Sequence, residues 1–176
     1  VVMTEIATKT KMDADLVPGM VTILSREQLE KQGVRTVFEA LSLVPGITTF
    51  LTTIGDPTVS VRGIGGTFFS GNMKLMLDGV AMNETLSAAG YALYQVPVEQ
   101  IERIEVIRGP GSVIYGEYAY AGVINVVSRK AGNRIYAGYD TYKSFGAGAT
   151  APYSLPENDF NISLSMTGVK GEGPDV

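Results

Sequence analysis

The sequence predicts an α+β fold, a small mixed sheet with short helices, followed by a separate amphipathic β-hairpin. Three observations predict it. Ser25-Arg26-Glu27-Gln28 and Thr36-Val37-Phe38-Glu39 are helix-opening capping signals set close together. From Ile47 onward, short apolar runs are punctuated by Gly55-Asp56-Pro57, Asp78-Gly79 and Gly109-Pro110-Gly111, as strands joined by turns require. Beyond Gly132 the pattern changes again, to long segments that alternate apolar and polar residues.

Val1 to Val17 is weakly patterned and interrupted by Asp13 and Asp15, so residues 1–15 read as an extended arm. Met20 to Leu24 is a short apolar run suited to a strand. Ser25 caps a helix through Gln32, with Gln28 reaching back and Gly33 closing it in the left-handed region. Val37, Leu41 and Val44 share one face of the next helix, which Pro45-Gly46 stops. Ile47 to Leu51 is a strand, and Val59 and Val61 alternate with Ser60 and Arg62 in the next. Gly63 to Asn72 is a Gly-rich loop carrying Phe68 and Phe69. Lys74 to Leu77 is a strand ended by Asp78-Gly79, and Asn83 to Tyr94 is a long loop. Ile101 to Arg108 is a strand, Ser112 opens a single turn ending at Gly116, and Gly122 to Val127 is apolar enough to be buried on both faces. The main domain therefore covers residues 16–130. In the tail, residues 131–176, Arg134 to Ala149 and Phe160 to Val169 form two strands around a turn, Ala151 to Asn158, that carries two prolines. A soluble amphipathic hairpin and a pair of transmembrane barrel strands both fit that alternation.

Composition removes whole classes of function. Hydrophobic residues make up 45% and charged residues 18% of the 176, a globular balance. With no Cys and no His there is no disulfide, thiol nucleophile, Ser-His pair or Cys/His zinc site within the chain. A net charge of −4 without a basic run gives no nucleic-acid footprint. No P-loop or nucleophile elbow is present, so the chain reads as neither an enzyme nor a cofactor binder. The acidic residues make no metal site: Asp78 sits in a structural turn, and Glu102 and Glu105 are interleaved with Arg103 and Arg108 for local charge pairing. The uncharged candidate span Ala40 to Gly55 is broken by Pro45-Gly46, which leaves barrel strands as the one route into a membrane. Starting at Val1 without a Met, the chain is expected to be a processed product.

Four blocks occur in one order: Leu43-Val44-Pro45-Gly46-Ile47, Val61-Arg62-Gly63, Leu77-Asp78-Gly79-Val80, and Ile101-Glu102-Arg103-Ile104-Glu105-Val106-Ile107-Arg108-Gly109-Pro110 running on to Val127. Together they resemble the plug domain of TonB-dependent outer-membrane receptors, over roughly residues 1–130. The tail from Gly132 is similar to the first two strands of that family's barrel, most of which would be lacking here. The resemblance implies a plug that gates an outer-membrane transporter for a scarce nutrient, such as a ferric siderophore or another iron chelate, or cobalamin, with its arm in the periplasm. The other reading is a detached plug-like binding or interaction module working outside a barrel.

The resemblance also implies roles for particular residues. Val1, Val2, Met3 and Thr4 resemble the end of a TonB box, an extended segment that pairs as a strand with TonB. A frayed apolar terminus is the plainer alternative. Arg62 and Arg108, each followed by Gly, would anchor the plug to its own β-barrel through barrel glutamates; otherwise they are surface arginines in ordinary turns. Ligand contact would come from the loops Thr52 to Asp56, Gly65 to Gly71 and Asn83 to Tyr91, through Thr52 and Asp56, Gly66, Thr67, Phe68 and Phe69, and Thr85 and Tyr91, unless the aromatics pack under the loops instead. The apolar row Phe160, Ile162, Leu164 and Met166 would face lipid in a barrel. Outside one, disorder, collapse onto the plug and pairing with another copy are open, and a non-native homo-oligomer satisfies both the row and the strand edges.

Overall fold

The computed structural model describes residues 3–4, 12–13, 21–65, 72–85, 90–109, 112–130, 132–139, 145–155 and 160–170. The chain divides into two compact units, Val1–Ser128 and Arg129–Val176. The first unit contains β1 (Met3–Thr4), β2 (Met12–Asp13), β3 (Val21–Ser25), α1 (Arg26–Gln32), α2 (Val37–Leu41), β4 (Ile47–Leu51), β5 (Pro57–Val61), β6 (Ile64–Gly65), β7 (Met73–Leu77) and β8 (Val80–Ala81). It continues with α3 (Tyr91–Tyr94), β9 (Ile101–Ile107), α4 (Ser112–Tyr115) and β10 (Gly122–Ser128). The second unit contains β11 (Arg134–Tyr139), β12 (Phe145–Leu155) and β13 (Phe160–Lys170).

The helices begin where their caps require. Ser25 accepts from the Gln28 backbone while the Gln28 side chain accepts from the Ser25 backbone, and Gly33 ends α1 at φ 67°. Thr36 caps α2 by accepting from the Glu39 backbone N–H. Each helix buries one apolar stripe: Leu29 from α1, and Val37, Ala40 and Leu41 from α2. The stretch from Asn83 to Tyr94 is not a loop throughout. Its end is the helical turn α3, because Leu93 and Tyr94 are buried in the core and draw that segment into a packed turn.

The main sheet runs in the order β3-β9-β10-β7-β8, with β10 parallel to β7 and antiparallel to β9, so it is mixed. In register, Leu24 lies opposite Ile104 and Ile104 opposite Val126; this face carries the principal core, with Leu29, Leu41, Leu93 and Tyr94 packed into the same cluster. On the other face Val21, Ile107 and Val123 align, and Met76 and Ala119 complete a smaller cluster. That second face also holds a charge. Glu105, 1% exposed, accepts from Arg103 Nε at 2.8 Å and from Asn125 Nδ2 at 3.1 Å. Asn125 in turn accepts from the Gly79 N–H at 3.0 Å. Asp78, at φ 50°, accepts from both the backbone and the hydroxyl of Ser128, which joins the Asp78-Gly79 turn to the end of β10. The short β8 leaves part of β7 open, and the Asn83 amide fills the gap by accepting from Leu75 N–H and donating to the Met73 carbonyl. A second sheet, β4-β5-β6, carries the Ile47 to Val61 ladder.

The tail corrects the two-strand expectation. It is a three-stranded antiparallel sheet, β11-β12-β13, because the Tyr-, Gly- and Ala-rich stretch divides into β11 and the first half of β12. Pro152 is not in a turn. It lies in β12 opposite Ser163, beyond the last β11 pair, Arg134 with Thr150, where β12 has a neighbouring strand on one side only. One face aligns Ile135, Ala149 and Met166, then Ala151 with Leu164 and Tyr153 with Ile162. The other aligns Tyr136, Gly148 and Thr167, and the Tyr136 hydroxyl reaches Thr167 Oγ1 at 2.5 Å across Gly148. A Cβ at position 148 would overlap that hydroxyl.

Close approach also fixes Gly122 at the start of β10. A Cβ there would lie 2.5 Å from the Ile107 carbonyl and 3.1 Å from Met73 Sδ. Backbone on one side and a buried thioether on the other leave it no room, so Gly122→Ala is expected to cost about 1–3 kcal/mol, read as a lowered urea midpoint with an unchanged slope.

Candidate functional site

Both arginines singled out in the sequence meet at one turn. The pairing of Ile47 with Val61 places Gly46 beside Arg62 at the end of the β4–β5 ladder. Arg62 adopts φ 51°, and its backbone N–H donates to the Gly46 carbonyl at 2.9 Å. Arg108, just past β9, donates from Nη1 to the Pro45 carbonyl at 2.8 Å. Its Nε is buried without a hydrogen-bond partner, so the guanidinium is only part-satisfied where it lies. The expected charge pairing is corrected in detail. Arg103 pairs with Glu105, and Glu102 pairs at 3.2 Å with Arg26 of α1. Arg108 binds a carbonyl instead, because the chain leaves β9 before reaching it and turns it toward Pro45.

A second group forms around the β4–β5 hairpin. Thr52 and Asp56 close the hairpin end: the Thr52 N–H donates to the Asp56 carbonyl at 2.8 Å, and the Asp56 N–H donates to Thr52 Oγ1 at 3.1 Å. Gly55, at φ 85°, makes the turn between them. Asp56 and Glu84 place two negative charges near the Tyr91 hydroxyl. Desolvation first, then Asp56 and Glu84, hold the Tyr91 phenol above the ordinary tyrosine value. Thr52, Asp56 and Tyr91 are thus brought together, and Thr85 follows Glu84 on an exposed turn. Gly66, Thr67, Phe68 and Phe69 lie outside the described residues. Ile54 and Glu84 fall within the expected loops, residues 52–56 and 83–91, without being singled out there; Leu51, exposed at the end of β4, lies just outside them.

In the arm, Met3–Thr4 is a short strand that pairs antiparallel with Met12–Asp13 of the same chain, Met3 opposite Asp13 and Thr4 opposite Met12. Val1 and Val2 lie outside the described residues. Among the described residues, no three His, Cys, Asp or Glu side chains gather to hold a metal ion, and no helix is long and apolar enough to cross a membrane.

Residues 13–123 match the family model described as the TonB-dependent Receptor Plug Domain. The chain is 39% identical over 120 residues to the iron-regulated outer membrane virulence protein of Vibrio cholerae, covering 64% of this chain and 18% of that protein. It is 34% identical over 132 residues to the vitamin B12 transporter BtuB of Vibrio vulnificus, covering 74% of this chain and 20% of that one. Among solved structures, the alcaligin outer membrane receptor FauA of Bordetella pertussis matches with a TM-score of 0.76 at 19% identity, covering 97% of this chain and 29% of FauA. The chain thus spans about a fifth of the length of these two relatives.

The Tyr91 environment yields a measurable shift. Asp56→Asn removes a negative charge beside the phenol, so the Tyr91 titration should move down toward the ordinary value while staying above it, because desolvation, the largest cause, is retained. Ultraviolet difference titration against a Tyr91→Phe control reads this shift.

Proposed function

Because this chain belongs to the plug-domain family of TonB-dependent receptors, we propose that it gates an outer-membrane β-barrel transporter and takes its energy from TonB. The observation that carries the reading is the two-faced sheet of the second unit. Ile135 and Met166, aligned through Ala149, are 88% and 81% exposed, and Leu164, Tyr153 and Ile162 extend the same row. Tyr136, Thr167, Thr150 and Ser165 lie on the opposite face and bond to one another in pairs. A barrel wall needs this division, with lipid outside and a polar lumen inside. A module working outside a barrel would leave the apolar row in water, which disfavours that alternative.

The first unit is then the plug. Arg62 and Arg108 anchor it through carboxylates of the barrel, which supply the partners that the part-satisfied Arg108 guanidinium calls for. The hairpin carrying Thr52 and Asp56, with Tyr91 beside it, belongs to the ligand-contacting end, together with Gly66, Thr67, Phe68, Phe69 and Thr85. The cargo is a scarce metal chelate such as a ferric siderophore or cobalamin, in keeping with the names of the relatives. Val1, Val2, Met3 and Thr4 form the strand that adds to TonB on the periplasmic side; Met3–Thr4 already has extended backbone.

The test is Val2→Pro in the complete receptor. Proline removes one backbone donor and fixes φ, which a strand added to a partner's sheet cannot accommodate. Energised uptake by cells should be lost while ligand binding to isolated receptor stays within about twofold. Uptake at the wild-type rate would overturn the assignment.

A further inference from the structure

The chain leaves β7 and returns to it at the same residue, Leu75. The β7–β8 pairing sets Leu77 opposite Val80 and Met76 opposite Ala81. Continued, it would set Leu75 opposite Met82 and Met73 opposite Glu84. It goes on for one bond only, from the Met82 N–H to the Leu75 carbonyl at 2.8 Å. The Asn83 side chain takes the next two groups: Oδ1 accepts from the Leu75 N–H at 2.9 Å, and Nδ2 donates to the Met73 carbonyl at 2.8 Å. One amide thus stands in for the Met82 carbonyl and the Glu84 N–H, the groups that an antiparallel ladder would bring there. The main chain is free to leave after Met82 with neither group of β7 left open. Longer pairing would also turn Glu84 to the face of Met73, which belongs to the principal apolar cluster and is no place for a carboxylate. The return is as tightly set. A Cβ on Gly90 would overlap Leu75 Cδ1, and Leu75 is only 1% exposed. Glu84 follows the exit and Tyr91 follows the return, and the charge of Glu84 is felt at the Tyr91 phenol.

We propose that Asn83 is a positioning residue for ligand recognition: its amide ends the β7–β8 ladder at Met82 and so holds the Glu84 carboxylate near Tyr91 at the ligand-contacting end. The proposal rests on the reading of that end given above and adds to it what sets its geometry. An asparagine that merely satisfied a strand edge would leave the link between Glu84 and Tyr91 unchanged when removed.

A cycle in the complete receptor tests this. Tyr91 is titrated by ultraviolet difference against Tyr91→Phe, with and without Glu84→Gln, in the unsubstituted receptor and in Asn83→Ala. Glu84→Gln should lower the titration in the unsubstituted receptor, because a negative charge near the phenol is gone. In Asn83→Ala the same change should lower it by less than about half as much. Ferrioxamine B and cyanocobalamin serve as probes of binding, and for whichever of them the receptor takes, Asn83→Ala should weaken affinity about tenfold, the worth of one charged contact. If Asn83→Ala does not fold, Asn83→Asp gives the same comparison: it keeps the shape and the acceptor, loses the donor, and adds a charge common to both members. No effect of Glu84→Gln in the unsubstituted receptor, or an equal effect in both backgrounds, would overturn the positioning role. A reduced effect with unchanged probe affinity would overturn ligand contact at this end and leave the placing of Glu84 by Asn83 intact.

Discussion

The carboxylate of Glu105 is the constraint around which the first unit is built. A charge so deep in a sheet is stable only when fully partnered, and its two partners come from different places. Arg103 is two residues away on the same strand and therefore on the same face. Asn125 is directly opposite on β10. A one-residue slip of β10 would turn Asn125 to the other face and leave the carboxylate with a single partner. The far end of the Asn125 amide holds Gly79, at the turn that follows β7. One buried charge thus sets the register of β9, β10 and β7, and with it the height at which Arg108 leaves the sheet.

That exit point connects the core to the candidate anchor. Arg108 can reach Pro45 only because β9 ends where it does and because α2 and β4 place the Pro45-Gly46 turn there. The turn in turn depends on the β4–β5 ladder, which pairs Ile47 with Val61 and delivers Arg62 to Gly46. Helix, sheet and hairpin therefore share a few polar contacts at their edges, while the apolar cluster of Leu29, Leu41, Ile104 and Ile124 supplies the bulk of the burial.

Local chemistry was legible in the sequence; distant pairing was not. Ser25 with Gln28 and Thr36 with Glu39 announce their helices because a cap is complete within four residues. The same holds for the Asp78-Gly79 turn. The role of Asn125 is invisible from sequence, since its partners Glu105 and Gly79 become neighbours only through register. Pro152 was misread for a related reason: a proline signals a turn unless it lies where a strand outruns its neighbour, and that depends on strand lengths. Of the candidate site, the arginines were recognisable from their Arg-Gly blocks, whereas the carbonyls that gather them carry no side-chain signature.

Pro152 also gives the second unit a direction of growth. On the β11 side, the outer ladder is only six residues long and the overhang of β12 beyond it lacks a donor at the proline. On the β13 side, eleven residues without a proline present a continuous row of backbone donors and acceptors. A strand arriving from elsewhere is templated well by β13 and poorly by the overhang. Growth of a larger sheet from this piece would therefore favour the β13 edge over the proline-bearing overhang.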